Sequence, residues 1–332
     1  LFSSFLLAIS PWHIFMSRIA MLVSVEVFFI SLGILGLIRG LKFTVIPAQA
    51  GIYLNRFRIP PTLTVRLQEL FVHGSRSAFR RAGKSGMTMI NLWWVMSAVS
   101  FGGAIYSYYG SRVTVPLILL AFAATQFNEL KLRWRELIIP FIVGLVILSP
   151  ILIQSIKDPV ILTGRARTTS IFFNDNVRLQ LWDAHTKAGL KKIPPLISRF
   201  FDNKPYYYTK DILKRYWSHF SPSFLFFKGD SHPPFKIPRL GYLYLFDLPL
   251  FLIGFWALRK KAEKDPLAKF LIIYLLLSPF VASLTFLTPA ANRSFNLVIP
   301  WTLITAFGAA KFVTVIPAIL RQAQDGEHRR TK

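Results

Sequence analysis

Seven windows of the sequence are apolar for long enough to cross, or nearly cross, a lipid bilayer: 19–38, 89–109, 113–127, 137–156, 240–258, 270–287 and 295–312. A hydrocarbon core of about 30 Å needs roughly 17 to 25 such residues in helical form. Inside it, only structures that satisfy their own backbone N–H and C=O groups are viable. The chain is therefore expected to be an all-α polytopic membrane protein. An eighth apolar run, Leu1 to Ile9, reads as the tail of a further span, because the chain opens on Leu already inside it. On that reading the sequence is a fragment that lacks its N-terminus.

Charge then sets orientation. Forty Lys and Arg stand against fifteen Asp and Glu, a formal net charge of +25, and a soluble chain that basic would read as a nucleic-acid binder. Such binders lack membrane-length apolar runs, so nucleic acid is not expected as a partner and the charge needs a topological explanation. If the spans alternate, the basic stretches at 39–42, 131–135, 259–264 and 321–332 share one side, which the positive-inside rule makes the cytoplasm. The other side receives short connections around Arg18, Arg112 and Arg293, and one long segment, 157–239. Long loops translocate largely regardless of charge, so the basic character of that segment is no obstacle. The expected organisation is spans in 1–41, 89–156 and 240–313, a loop at 42–88, an extracytoplasmic and mostly helical segment at 157–239, and a cytoplasmic tail at 314–332.

The long segment is dense in aromatics, among them Tyr206, Tyr207, Tyr208, Tyr216, Trp217 and Phe220, and is too apolar for a disordered linker. Short surface helices are expected at 175–188 and 209–219. The aromatics suit an interfacial belt or a stacking platform, with Tyr208, Trp217 and His219 on the sugar or acceptor side.

The 42–88 loop does not match its surroundings, since connections in a compact bundle run to about two to eight residues. TVIPA occurs at 44–48 and again at 314–318, each time soon after a Lys-Phe. VIPAQAGI, RAGKSGMT and RQAQDGE resemble translated short palindromic repeats of bacterial genomes, which makes 43–88 a repeat-derived insertion. The alternative is a natural loop carrying a basic amphipathic helix around 63–79 that rests on anionic lipid.

Few residues here are suited to chemistry. The chain has no Cys and six scattered His, which excludes disulfides, thiolate nucleophiles and Cys-ligated metals and makes a zinc site an unlikely motif. No glycine-rich phosphate loop or GxSxG motif occurs. Arginines at span ends are more informative, because a guanidinium is a fixed fork of donors that matches phosphate oxygens. Arg18, Arg112 and Arg293 are expected on one face, suited to a polyprenyl-phosphate headgroup, although each also fits snorkelling to lipid. Arg165 and Arg167 are secondary candidates. Glu26 and Asp247 lie within spans, where charges are functional by default. Glu26 is placed to pair with Arg18, eight residues earlier. His13 and His219 titrate near neutrality and suit proton transfer.

Taken in order, LLAISPWHIFMSRIA (6–20), IYSYYGSRVTVPLILL (105–120), HFSPSFLFFKGD (219–230), LGYLYLFDLPLFLIG (240–254) and SPFVASLTFLTPAANRS (278–294) resemble bacterial membrane glycosyltransferases of the GT-C type, in particular protein O-mannosyltransferase-like and aminoarabinose-transferase-like proteins. The resemblance implies a helical enzyme of the bacterial cytoplasmic membrane that moves a sugar from a polyprenyl-phosphate donor to a glycan, lipid or protein acceptor on the outer face. It implies phosphate-holding roles for Arg293 and Arg112, with Arg18 assisting. Such enzymes carry an acidic general base on a first outer loop that this chain lacks, leaving Glu26, Asp247 and His13 as substitutes; any metal ligands would belong to that loop as well, and no cofactor is expected. The family's Pro-His-Ala-Xaa-Arg pattern is present as Pro289-Ala290-Ala291-Asn292-Arg293, with the Arg kept and the His lost, and Leu22 stands where relatives carry an acid. The chain is then a transferase, active or inactive as a fragment. Its alternatives are a lipid-linked-saccharide flippase, with Glu26 and Asp247 as pathway acids, and the remnant of a disrupted gene.

Overall fold

A computed structural model describes residues 2–18, 22–42, 92–173, 175–191, 194, 202–238 and 240–330. The proposed insertion at 43–88 lies outside the described residues. Twelve helices of eight residues or more carry the description: α1 (Phe2–Ile9), α2 (Pro11–Arg18), α3 (Leu22–Lys42), α4 (92–107), α5 (Ser111–Thr125), α6 (Ile138–Lys157), α7 (Val160–Thr169), α8 (Asn176–Leu190), α9 (Lys204–Ser218), α10 (Asp247–Ala262), α11 (Pro266–Leu277) and α12 (Val298–Arg330). No named strand occurs among the described residues, and the chain is an all-α protein.

Four helical stretches are long and apolar enough to cross a membrane: Leu22–Leu41, Trp134–Lys157, Pro266–Ser283 and Phe295–Thr314. The stretch containing α6 states its solvent most directly, because only 6% of its most apolar window is buried. Ile139, Phe141, Ile142, Val146, Ile153 and Ile156 all face outward. In water each Å² of that surface would cost about 25 cal/mol, and apolar patches of this extent mark a membrane or protein contact.

The helices do not coincide with all of the expected windows. The 89–109 window is helical from 92 through 107 among the described residues, with Gly110 separating it from α5. α5 has the 15 residues of the 113–127 window, set two residues earlier, and α10 has 16. The 240–258 window is not helical in its first part for a tertiary reason: residues 240–246 are apolar, yet the Tyr242 and Leu243 N–H groups both donate to the Leu225 carbonyl at 2.8 Å. A Cβ at Gly241 would overlap the Phe226 backbone, so this stretch is a close-packed strap and the helix starts only at Asp247. At the other end, α12 runs on past the expected span into the expected tail, to Arg330. The surface helices expected at 175–188 and 209–219 are present as α8 and α9.

The core is glued by aromatics. Trp12 on α2 is fully buried against Phe224, Tyr242 and Phe295, with ring centroids 5.8, 4.9 and 6.0 Å away, and its backbone N–H donates to the Tyr242 carbonyl at 3.1 Å. One side chain thus joins α2, the strap and the start of the last span. α10 packs along α12, where Phe251 stacks on Trp301 at 3.8 Å. One to two turns further along the pair, Gly254 and Gly308 bring the two backbones together, since a Cβ on either would overlap the carbonyl oxygen of Ile304 or Leu250.

Candidate functional site

Three loops meet where the apolar bundle gives way to the segment 158–246: the turn at 108–110 between α4 and α5, the loop at 228–232 and the loop at 285–294 that leads into the last span. Arg293 lies on the last of these. It is half-buried, and its Nη1 is enclosed with no hydrogen-bond partner. Burial holds its guanidinium below the ordinary value; Tyr108 and Asp230 pull it back up and the like charge of Arg165 adds to the depression. Two guanidiniums whose fields overlap beside an unsatisfied N–H form a place where an anion is favoured.

Arg165 reaches this place because α7 is pinned. The Arg112 Nη1 and the Tyr109 hydroxyl both donate to the Ile161 carbonyl, at 2.8 and 2.9 Å, and the Arg112 guanidinium lies 4.1 Å from the Tyr109 ring centroid. Ile161 and Arg165 are one turn apart on α7, so this double anchor sets where Arg165 stands. Beneath it, the buried Glu26 carboxylate accepts the Ser111 hydroxyl at 2.6 Å. Ser111 opens α5, so this bond ties α3 to the start of α5.

The 285–294 loop is held by three side chains from the other segment. Arg215 on α9 forms an ion pair with Asp211 at 2.7 Å and donates through Nη1 to the carbonyls of Phe286 and Thr285, at 2.6 and 3.2 Å, and to the Thr288 hydroxyl at 3.1 Å. His219 Nδ1 is 2.8 Å from the Arg215 carbonyl, and its Nε2 accepts the Ala290 N–H at 3.3 Å. That pattern assigns the proton to Nδ1 and requires a neutral ring. The Asp230 carboxylate accepts the N–H groups of Ala291 and His232, each at 2.8 Å. Together the three side chains fix the backbone two residues before Arg293.

Burial of His219 pushes its pKa down to about 4, against the pull of the Arg215 and Tyr216 carbonyls. A depressed folded-state value means that the unfolded chain binds this proton first. The stabilisation is therefore complete above the ordinary value of 6.5 and is lost as pH falls toward 4. The difference corresponds to about 3 kcal/mol. Melting temperature is expected to be level above that range and to fall through it, with a shallower fall in His219→Gln; identical slopes in the two proteins would remove His219 as the titrating group.

Other expected site residues lie elsewhere or do other work. Arg18 is exposed at the end of α2 and makes no ion pair with Glu26 among the described residues; Glu26 is bonded by Ser111 instead. Arg112 is committed to α7, and Arg165 instead stands with Arg293. Asp247 is the first residue of α10, where its carboxylate accepts the Tyr244 N–H at 3.2 Å, a capping contact at a helix start. His13 is half-buried and stacks on Phe295 at 6.4 Å; burial lowers its pKa. Both ring nitrogens of the fully buried His219 are occupied, which removes it from sugar contact and proton transfer. Tyr208 packs on Phe172 at 5.4 Å, and Trp217 is 61% exposed beside Tyr216 and Phe220. Asp230 and Arg215 were missed from the sequence, although Asp230 closes the motif HFSPSFLFFKGD. No group of three or more His, Asp or Glu placed to hold a metal occurs among the described residues. No protein-family model matches the chain, and neither a curated protein nor a solved structure matches it.

Proposed function

We propose that the chain is a membrane glycosyltransferase of the GT-C type that takes a sugar from a polyprenyl phosphate. The observation that carries the reading is the half-buried Arg293, with one N–H unsatisfied among the described residues and within the electrostatic reach of Arg165, in a bundle that also holds an apolar cavity of about 480 Å³. Leu37, Trp94, Phe101, Ile105, Val115 and Leu148 are among its lining residues. Ile105 lies one turn before Tyr108 on the same stretch of chain, and Val115 one turn after Ser111. The cavity takes an isoprenoid tail and the guanidiniums take its phosphate, an amphipathic pairing that fits a lipid-linked donor better than a soluble one.

In the reaction, the acceptor oxygen bonds to the anomeric carbon while the carbon–oxygen bond to phosphate breaks. The electron pair of that bond leaves on the polyprenyl phosphate. Arg293 and Arg165 stabilise the charge that develops there, in the manner of fixed cations aimed at a leaving group. Arg112 acts through α7 as a positioning residue. The acceptor proton passes to a carboxylate, which the family resemblance puts on a loop preceding α1, since Glu26, Asp230 and Asp247 are all engaged in hydrogen bonds within the protein.

The test is transfer of labelled sugar from its polyprenyl-phosphate carrier in membranes of cells expressing the gene. Label is expected to appear in an envelope acceptor and to disappear with Arg293→Ala. Equal labelling in membranes with and without the gene would end the proposal.

A further inference from the structure

A second cavity, of about 350 Å³, opens on the far side of the loop that Asp230 holds. Its volume falls within the range of about 300–1,000 Å³ usual for small-ligand sites. Lys228, Lys236, Ser223, Ser231, Asp230 and Pro289 are among its lining residues. Lysines and serines stand in this lining beside Phe224 and Pro289, where the isoprenoid cavity is lined by aliphatic and aromatic side chains.

The local sequence builds it rigidly. The Ser221 hydroxyl accepts the Phe224 N–H at 3.3 Å, and residues 223–227 wind as a wide turn that closes with the Lys228 N–H on the Ser223 carbonyl at 2.6 Å. Gly229 then takes a positive φ of 65°, with the Tyr242 ring 3.3 Å from where a Cβ would stand, so glycine is the residue that fits. Asp230 accepts the His232 N–H and completes the reversal. Lysines 228 and 236, both exposed, line one cavity, and neither has a carboxylate within ion-pair distance among the described residues. The hydroxyls of Ser223 and Ser231 also make no hydrogen bond among the described residues.

We infer that this cavity is a binding site for a phosphate borne on a hydroxyl-rich group, that is, a sugar phosphate or the phosphorylated headgroup of a lipid. Two ammonium groups attract the phosphate as point charges. Asp230 subtracts one charge at the cavity wall, and its two oxygens already receive N–H groups, so the net charge offered is positive. The free serine hydroxyls, with the acidic edge of Asp230, match sugar hydroxyls and give a bare phosphate fewer partners. This makes the site selective for a ligand carrying both functions. It is distinct from the Arg293–Arg165 pair, and binding there stands or falls independently of the transferase reading.

The experiment is calorimetric titration of the purified full chain in detergent with glucose 1-phosphate, inorganic phosphate and glucose. Glucose 1-phosphate is expected to bind more tightly than either of the other two. The double variant K228Q/K236Q is expected to lose at least about tenfold in affinity, while K228R/K236R retains binding. Repeating the titration in nanodiscs containing phosphatidylglycerol separates the two sources: competition by the lipid identifies a headgroup ligand, and undiminished binding identifies a soluble sugar phosphate. Absence of binding, or affinity unchanged in a K228Q/K236Q protein with wild-type melting temperature, would overturn the assignment.

Discussion

Replacing Arg293 by alanine is expected to weaken polyprenyl-phosphate binding by roughly 30-fold to several thousand-fold, the range that corresponds to about 2–5 kcal/mol for truncating one member of a buried, hydrogen-bonded charge pair. The upper part of that range applies if the phosphate is drawn to the enclosed Nη1, which finds no other partner among the described residues. Arg293→Lys keeps the charge but loses the planar fork, so an intermediate loss is expected. Arg112→Ala is expected to act differently. It removes a hydrogen bond to Ile161 and the contact with the Tyr109 ring, so α7 loosens and Arg165 loses its place while Arg293 stays held by its loop. Titration with a short-chain polyprenyl phosphate distinguishes the variants, and unchanged affinity in Arg293→Ala would remove Arg293 from the donor site.

The second large effect is on folding. Gly308→Ala and Gly254→Ala lie in helix interiors, where intrinsic propensity alone favours alanine by about 1 kcal/mol. Here the sign reverses, because the added Cβ would overlap the Leu250 or Ile304 carbonyl across the helix pair. The obstacle is backbone, which no rotamer change relieves, so α10 and α12 have to separate. Overpacking usually costs about 1–3 kcal/mol, and an opening of this pair also disturbs the Phe251–Trp301 stack. Both variants are expected to melt lower than the wild type in detergent, with larger residues abolishing the folded protein. A raised melting temperature in Gly308→Ala would show that propensity decides and that the close approach does not.

What was legible in the sequence follows from the range over which each feature acts. The helical class came from apolar length alone, which is local, and the surface helices α8 and α9 stood out because their polar and aromatic residues lie between breakers. Arg293 was legible as a guanidinium at a span end. Its partner was misjudged because proximity of Arg165 depends on Arg112 reaching Ile161, 49 residues away. Asp230 was invisible for the same reason: its role is to accept an N–H 61 residues later. His219 sits among aromatics and read as interfacial, whereas its burial follows from the loop folded over it. The strap at 240–246 has the composition of a membrane helix and is kept from becoming one by Leu225 and Phe226, which no local pattern announces.

The clamp on the 285–294 loop bears on heredity as well as on geometry. Arg215, His219 and Asp230 come from one stretch of chain, and everything they grip is backbone or a hydroxyl of another. The gripped residues Ala290 and Ala291 contribute their N–H groups, and their small buried side chains leave room for the grip. The side-chain part of that hold therefore rests on one genetic segment, beside the backbone bridge that Thr169–Ile171 makes to the start of the loop. A chimera that imports 285–294 from a relative and keeps 203–232 inherits the side-chain clamp, whereas the reciprocal exchange keeps only the backbone bridge.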